Sequence, residues 1–277
     1  MSSEAQAERI RLGGMAMANG VLVHGPTAWA CAVRTDEGEL KVASGRKTIR
    51  SADADTPLLR GPLKVAEVFA LLPAVRRALP EARLPLQRPR VVTAMLGSAL
   101  AVRVVRGSRL GALAQEGLAA IAAVAPAAMA LRDSSLAEYH GAEHIAIGSY
   151  EHGERREREH ERCGSHLLGP LLLTSATGSL LASKAPEPLR PLARAAAAVG
   201  AVATSVETFA WMLRHEDHPL ARALARPGHE LQHRFATAEP SPEQLAVADA
   251  ALAECLRLEA QSGSNGHAGP DEEAPPT

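Results

Sequence analysis

The most informative stretch of the sequence is SLAEYHGAEHIAIGSYE, residues 135–151. Ser135 and Glu138 have the spacing of a capping box, which predicts that a helix begins here. At about 100° per residue, one face of this helix carries His140, Glu143, His144, Ile147 and Glu151. Two imidazoles four positions apart can hold one metal ion from a single face of a helix. The stretch therefore predicts a helix that presents a metal site.

The order of the residues on this face indicates which kind of metal site it would form. His140-Gly141-Ala142-Glu143-His144 has the His-x-x-Glu-His order, the inverse of the zinc-protease helix. We interpret His140 and His144 as ligands of a divalent ion, with zinc as the first candidate. Glu143 is the candidate catalytic residue, as a base toward water, or else a third ligand. Gly141 weakens the helix prediction, because glycine has a low helix propensity.

More candidate ligands lie downstream and on the same predicted face. The segment 160–165, HERCGS, offers His160 and Cys163 as ligands, and Glu151 competes for the same positions. Arg162 is a candidate for binding an anionic substrate. In a different interpretation, Cys163 is a nucleophile with His160 or His144 as its base.

Glu207 is a lone carboxylate in an alanine-rich apolar stretch. Burial of such a charge is costly unless it is paired or binds a metal. We therefore include Glu207 among the candidate metal ligands, with a salt bridge to a core arginine as the alternative.

The composition limits the fold and the partners. The 277 residues are 46% hydrophobic but only 3% aromatic, which predicts closely packed helices with small aliphatic side chains in the core. The formal net charge of −1 and the lack of aromatic-interleaved basic patches argue against a nucleic-acid partner. Three cysteines far apart in sequence fit a reducing cytoplasm.

The pattern along the chain predicts an α+β fold, a mostly α-helical bundle with an N-terminal β-hairpin or small antiparallel sheet. We expect one domain over residues 11–256, with a β-rich part at 11–50 and a helical part at 60–256. The first helix would bury a stripe of Val65, Phe69, Leu72 and Val75. A final helix is predicted to start after Ser241, and residues 261–277 are predicted to be a disordered tail.

Four apolar segments leave the cellular location open. Each is short, carries a charged residue or contains a proline, and so falls short of the about 20 apolar residues that span a membrane. One interpretation is four buried helices of a soluble cytoplasmic protein. The other is peripheral or integral contact with the cytoplasmic membrane. The segments are 91–105, 110–131, 167–183 and 192–213.

Several motifs resemble the YqhQ-like family, domain of unknown function 1385. They are Gly13–Ala16, Gly20–Pro26, Tyr139–His144, Arg162–Gly164 and the segment around Gln232, in the family's order from about residue 11 to 256. The resemblance implies a bacterial protein, a metal-dependent enzyme of undefined substrate, and membrane-spanning segments between and after the central motifs.

This chain departs from the family pattern at positions near the motifs. An acidic residue is usual where Asn19 stands, an arginine where His24 stands and a lysine where Ile145 stands. His24 is therefore a further candidate ligand. Ile145 would remove a cation beside the site, which argues against an anionic substrate.

These observations predict a metal-dependent enzyme, hydrolytic, acting on an unknown substrate. The alternative is a non-catalytic helical protein, at the membrane or not, with a structural metal site or none. A closed shell of four ligands would favour the alternative, whereas an open position that faces a pocket would favour catalysis.

Overall fold

A small antiparallel sheet forms the N-terminal part of the fold, as predicted. The computed structural model describes residues 9–48, 60–84, 89–131 and 135–265. The sheet order is β1-β2-β3-β4, so each strand pairs with its neighbour in sequence. The strands are β1 (Gly13–Met17), β2 (Gly20–His24), β3 (Ala28–Arg34) and β4 (Leu40–Arg46).

The described helices confirm the α+β class. They are α1 (Arg60–Ala78), α2 (Pro89–Gly107), α3 (Ala112–Leu131), α4 (Ser135–His152), α5 (Leu168–Ser183), α6 (Arg190–Arg214), α7 (Pro219–Leu231) and α8 (Pro242–Asn265). A 3-10 turn at Gly164–Leu167 precedes α5, and a π-helical turn at Gln232–Ala236 follows α7. Helices α2 and α3 pack as one hairpin, and α5 and α6 as another.

Both faces of the sheet are covered by helices. Val21, Val23 and Ala30 point to one face and form a core with α4 and α8. Leu22 and Cys31 point to the other face and pack against α1. Because alternate residues of β2 and β3 are buried on opposite faces, these strands are apolar almost throughout. The first of the two cores positions α4, which carries the candidate site.

The apolar stripe predicted for α1 is wrong in part. Leu71 and Val75 form the buried row of the helix against the sheet, and Leu79, directly after the helix, extends this row. Phe69 is 52% exposed and lies off this row. Spacings of three and four residues define a stripe, but they do not show which of two neighbouring rows faces the sheet.

Helix α8 begins where the sequence predicts and ends later. The Ser241 N–H donates to Gln244 Oε1 (2.7 Å) and the Gln244 N–H donates to Ser241 Oγ (3.3 Å). The helix continues to Asn265, so residues 261–265 are helical and not part of a disordered tail. The Ser262 hydroxyl lies 2.9 Å from that of Thr27, which ties this last turn to the sheet. Residues 266–277 lie outside the described part.

The four apolar segments form α2, α3, α5 and α6, but their outer faces are not buried. Leu96 is 69% exposed, Ile121 70% and Leu192 70%. The expectation of four fully buried helices is therefore not met. By length and composition, one helical stretch among the described residues, 187–214, could cross a membrane, with a mean hydropathy of 1.4.

Candidate metal centre

Helix α4 brings the predicted motif to the wall of a large cavity. The helix packs beside α8 on one face of the sheet and is buried along most of its length. His140, Glu143, His144 and Ile147 all line a cavity of about 1100 Å³. The helical face inferred from the sequence is therefore present, and it faces an open space.

Three of the predicted ligands meet in one group. His140, His144 and Cys163 each offer a ligand atom, and these atoms lie within 4.8 Å of one another. The distance from Cys163 Sγ to His140 Nε2 is 3.6 Å. Ligands of a tetrahedral zinc ion lie about 3.3–3.6 Å apart, given metal–ligand bonds of about 2.0–2.3 Å. The three ligand atoms therefore lie close to the spacing that a zinc ion requires. A small contraction of the group would reach that spacing.

Main-chain carbonyls fix the orientation of both imidazoles. His140 Nδ1 donates to the carbonyl of Ala236 (2.8 Å), and His144 Nδ1 donates to that of Arg158 (2.6 Å). A carbonyl can only accept, so each Nδ1 carries the proton and each Nε2 keeps its lone pair for a metal. Metal-binding histidines usually have such a partner on the second nitrogen. Burial also lowers the pKa of His144, which favours the neutral, metal-binding form.

Glu143 lines the same cavity but lies outside this group of three. Its carboxylate accepts a hydrogen bond from the N–H of Ala16 and packs on Gly14. A Cβ at position 14 would collide with the Glu143 carboxylate, so a larger residue there would displace this side chain. Burial raises the pKa of Glu143, because desolvation disfavours the charged form. The carboxyl group is thus able to hold a proton beside the two histidines.

Glu151, His160 and Arg162 form an ion-pair cluster at the edge of the cavity. Glu151 pairs with the Arg162 guanidinium, and His160 Nε2 lies 3.3 Å from the other Glu151 oxygen. Burial opposes ionisation of Glu151, but the bonds from His160 and Arg162 outweigh it and lower its pKa. Arg162 also donates to the carbonyl of Leu12 (3.5 Å). The Glu151 carboxylate and the Arg162 guanidinium are therefore already paired with each other.

The comparisons with known proteins agree with the resemblance noted from the motifs. Residues 131–258 match the family described as "Protein of unknown function (DUF1385)". This part of the chain is therefore similar to the DUF1385 family. It is also similar to the uncharacterized protein YqhQ of Bacillus subtilis (strain 168), with 34% identity over 136 residues. That match covers 46% of this chain and 42% of YqhQ, so the chain spans less than half of that relative's length. No solved structure matches.

The departures from the DUF1385 pattern have different structural settings. Ile145 is buried among Arg9, Ala146 and Tyr150, which line a separate surface depression. The prediction that Ile145 takes a cation away from the site is therefore wrong, because the next residue in a helix points about 100° away. Asn19 is structural: its amide donates to two main-chain carbonyls and accepts from the Arg83 N–H.

Two further candidates from the sequence lie apart from the group of three. His24 lines the cavity, but its Nδ1 is 2.9 Å from Lys47 Nζ, and Lys47 pairs with Glu67. Its Nδ1 lone pair therefore accepts from an ammonium group. Glu207 is half-buried on α6 and does not line the cavity. The structure does not bring it to His140, His144 and Cys163.

His24 gives a testable dependence of stability on pH. Burial, and next the Lys47 ammonium, lower the pKa of His24 from 6.5 to about 4. The unfolded chain therefore binds a proton near pH 6.5 that the folded chain does not bind until about pH 4. We expect the free energy of unfolding to fall by about 2–3 kcal/mol between pH 6.5 and 4 from this group. Urea unfolding across this range should show a shallower slope for His24→Gln; an unchanged slope would contradict the assignment.

Gln232 holds the loop that carries Cys163, a role that spacing alone did not reveal. It is fully buried; its Oε1 accepts from the His160 N–H (2.9 Å), and its Nε2 donates to the His160 carbonyl (3.2 Å) and to Ser165 Oγ (2.8 Å). A glutamine amide satisfies a buried peptide group on both its donor and acceptor sides. The available signal was the motif around Gln232 that resembles the family pattern.

Replacing Gln232 by leucine should therefore loosen this loop. Gln232→Leu leaves the buried His160 N–H without a partner and the His160 carbonyl with only the Cys163 N–H, at an expected cost of about 2–4 kcal/mol in the free energy of unfolding. Urea unfolding measures this change. Gln244→Leu, at the half-exposed start of α8, is the matched control, for which we expect about 1 kcal/mol. Equal losses in the two variants would argue against a special role for Gln232.

Proposed function

We propose that this protein is a metal-dependent hydrolase in which His140, His144 and Cys163 bind Zn²⁺. The proposal rests chiefly on the two imidazoles, whose Nε2 atoms are left free by main-chain bonds and lie next to a cysteine sulfur. Two nitrogens and one thiolate suit a borderline-soft ion such as zinc. When bound, zinc supplies a Lewis acid and lowers the pKa of a coordinated water.

The surroundings of the donor group favour catalysis over a purely structural metal. Structural zinc sites have four protein ligands, whereas catalytic sites keep one position for water or substrate. Within the described residues, the group contains three ligand residues and lies at a cavity of about 1100 Å³. Glu143 is on the same wall, where its carboxylate can take a proton from an attacking water and return it to a leaving group.

A second candidate function is a cysteine nucleophile without metal. The 3.6 Å contact between Cys163 Sγ and His140 Nε2 is also the arrangement in which an imidazole accepts the proton of a thiol. The sequence suggested His144 or His160 as the base; His144 does bond to Cys163, and His140 is a further candidate that the sequence did not indicate. In this mechanism the thiolate, and not water, attacks the substrate first.

The test is hydrolysis of 4-nitrophenyl acetate by the full chain, before and after zinc removal. We expect one bound zinc per chain, loss of activity with 1,10-phenanthroline and recovery when zinc is added. Glu143→Gln should retain zinc and lose about 100-fold or more in kcat. Activity that survives metal removal but not iodoacetamide would support the cysteine nucleophile. No zinc binding would overturn the leading proposal.

We also propose that the protein associates with the cytoplasmic membrane surface. The supporting observation is that the exposed apolar side chains are concentrated on α2, α3, α5 and α6, including Leu96, Ile121 and Leu192. Such a surface is expected to contact lipid or another apolar partner. Flotation with phosphatidylcholine–phosphatidylglycerol vesicles tests this proposal, with Leu96→Ser/Ile121→Ser expected to reduce the bound fraction severalfold. Leu40→Ser, on the exposed edge strand β4, is the control; wild-type protein that does not float would refute the proposal.

A further inference from the structure

The cavity has two chemically different walls. One wall carries the polar residues of the candidate centre, His140, Glu143, His144 and Cys163. The opposite wall is apolar and comes from the α2–α3 hairpin, with Val91, Met95, Ala99, Val102, Ala123 and Pro126. The Ser98 hydroxyl donates to the Ala122 carbonyl (2.6 Å) and joins the two helices of this wall. A ligand that fills the cavity therefore touches polar groups at one end and hydrocarbon at the other.

Several apolar side chains of this wall remain exposed. Met95 is 46% exposed although it is a lining residue, and Ala99 and Ala123 are exposed too. An aliphatic chain in this space would remove its own surface and that of the wall from water, at a gain of roughly fourfold in affinity per methylene. Methionine and small residues adapt to chains of varying shape.

The charges of the lining favour an uncharged group at the polar end. Arg162 is the one lysine or arginine among the described lining residues, and Glu151 and the Leu12 carbonyl already engage its guanidinium. Glu143 adds a carboxyl group to the same wall. A phosphate ester would find no free side-chain cation among the described lining residues to balance its charge. A carboxylic ester carries no such charge.

We propose that the substrate is an amphiphile: a carboxylic ester with a long aliphatic acyl chain that lies along the α2–α3 hairpin. This inference rests on the proposed hydrolytic function. The oxygen of water forms a bond to the acyl carbon, and the ester C–O bond breaks. The leaving oxygen takes up a proton, so the products are a fatty acid and an alcohol. The apolar wall of the α2–α3 hairpin determines which lengths of acyl chain fit. The candidate centre on α4 and the following loop acts on the ester bond.

The experiment compares 4-nitrophenyl esters from acetate to laurate with the zinc-loaded full chain. We expect kcat/KM to rise by roughly fourfold per methylene over the shorter chains and then to level off. Ala99→Trp fills the apolar end and should remove the advantage of laurate over acetate. Leu96→Trp, on the outer face of the same helix, is the control and should behave like wild type.

Binding of an uncharged probe separates this inference from the function on which it rests. Fluorescence of N-dodecyl dansylamide should increase with wild-type and Leu96→Trp protein, with or without zinc, and at least tenfold less with Ala99→Trp. If the probe binds in this pattern but no ester is cleaved, the hydrolase proposal fails and the amphiphile site stands. If acetate is cleaved in a zinc-dependent way but chain length has no effect and the probe does not bind, the amphiphile inference is overturned.

Discussion

Replacement of both His140 and His144 by alanine should abolish zinc binding. These two side chains supply two of the three donors in the group with Cys163, and His140 Nε2 lies 3.6 Å from that sulfur. Loss of a group that only orients a ligand already weakens metal binding by about 10–100-fold, so loss of two ligands should exceed this range. Zinc content after dialysis, measured by mass spectrometry, is the readout.

The control for this variant is His152→Ala at the end of the same helix. His152 Nδ1 donates to the Gly148 carbonyl within α4 (2.9 Å), and the residue does not line the cavity. It should retain one zinc ion per chain. Equal zinc content in wild type and the double variant would rule out the proposed centre, and zinc loss in both variants would point to a general loss of structure.

Gly141→Ala should damage the fold and the centre together. A Cβ at this position would lie far inside contact distance of the Ala238 carbonyl oxygen. The segment at 236–238 is held to α4 by the Ala238 N–H, which donates to the Ala137 carbonyl (2.9 Å), so it cannot retreat without losing that bond. We expect a loss of about 2–3 kcal/mol in the free energy of unfolding. Movement of Ala236 would also release His140, with zinc binding about 10–100-fold weaker.

The matched control is Gly97→Ala in the middle of α2. No atom lies within 4 Å of a Cβ built there, so the higher helix propensity of alanine should stabilise the protein by up to about 1 kcal/mol. Urea unfolding and zinc titration of both variants measure the two effects. Stabilisation by Gly141→Ala, or destabilisation with unchanged zinc affinity, would contradict this account.

Local patterns in the sequence predicted the elements of the site well. The four-residue spacing of His140 and His144 placed both imidazoles on one face, and Cys163 was among the ligands expected from the loop. The start of α8 at Ser241 was similarly a local signal. Each depends on residues a few positions apart, whose geometry the helix or turn itself sets.

These local patterns did not predict contacts between segments that are distant in the sequence. Gly141 weakened the predicted helix, yet it allows the 236–238 segment to approach α4. Glu151 and Arg162 were each considered for separate roles, but they pair with each other across the loop. The sequence also gave no sign that α2 and α3 form the far wall of the cavity. Such pairings depend on tertiary packing, which periodicity does not encode.

The main-chain bonds to the two histidines have a consequence for how such a centre tolerates change. Arg158 and Ala236 contribute only their carbonyl oxygens, so their side chains can be replaced without altering the ligands' tautomers. A deletion of one residue between 153 and 163 would instead shift a carbonyl away from its imidazole. The centre should therefore withstand many substitutions in its loops and few changes in their length.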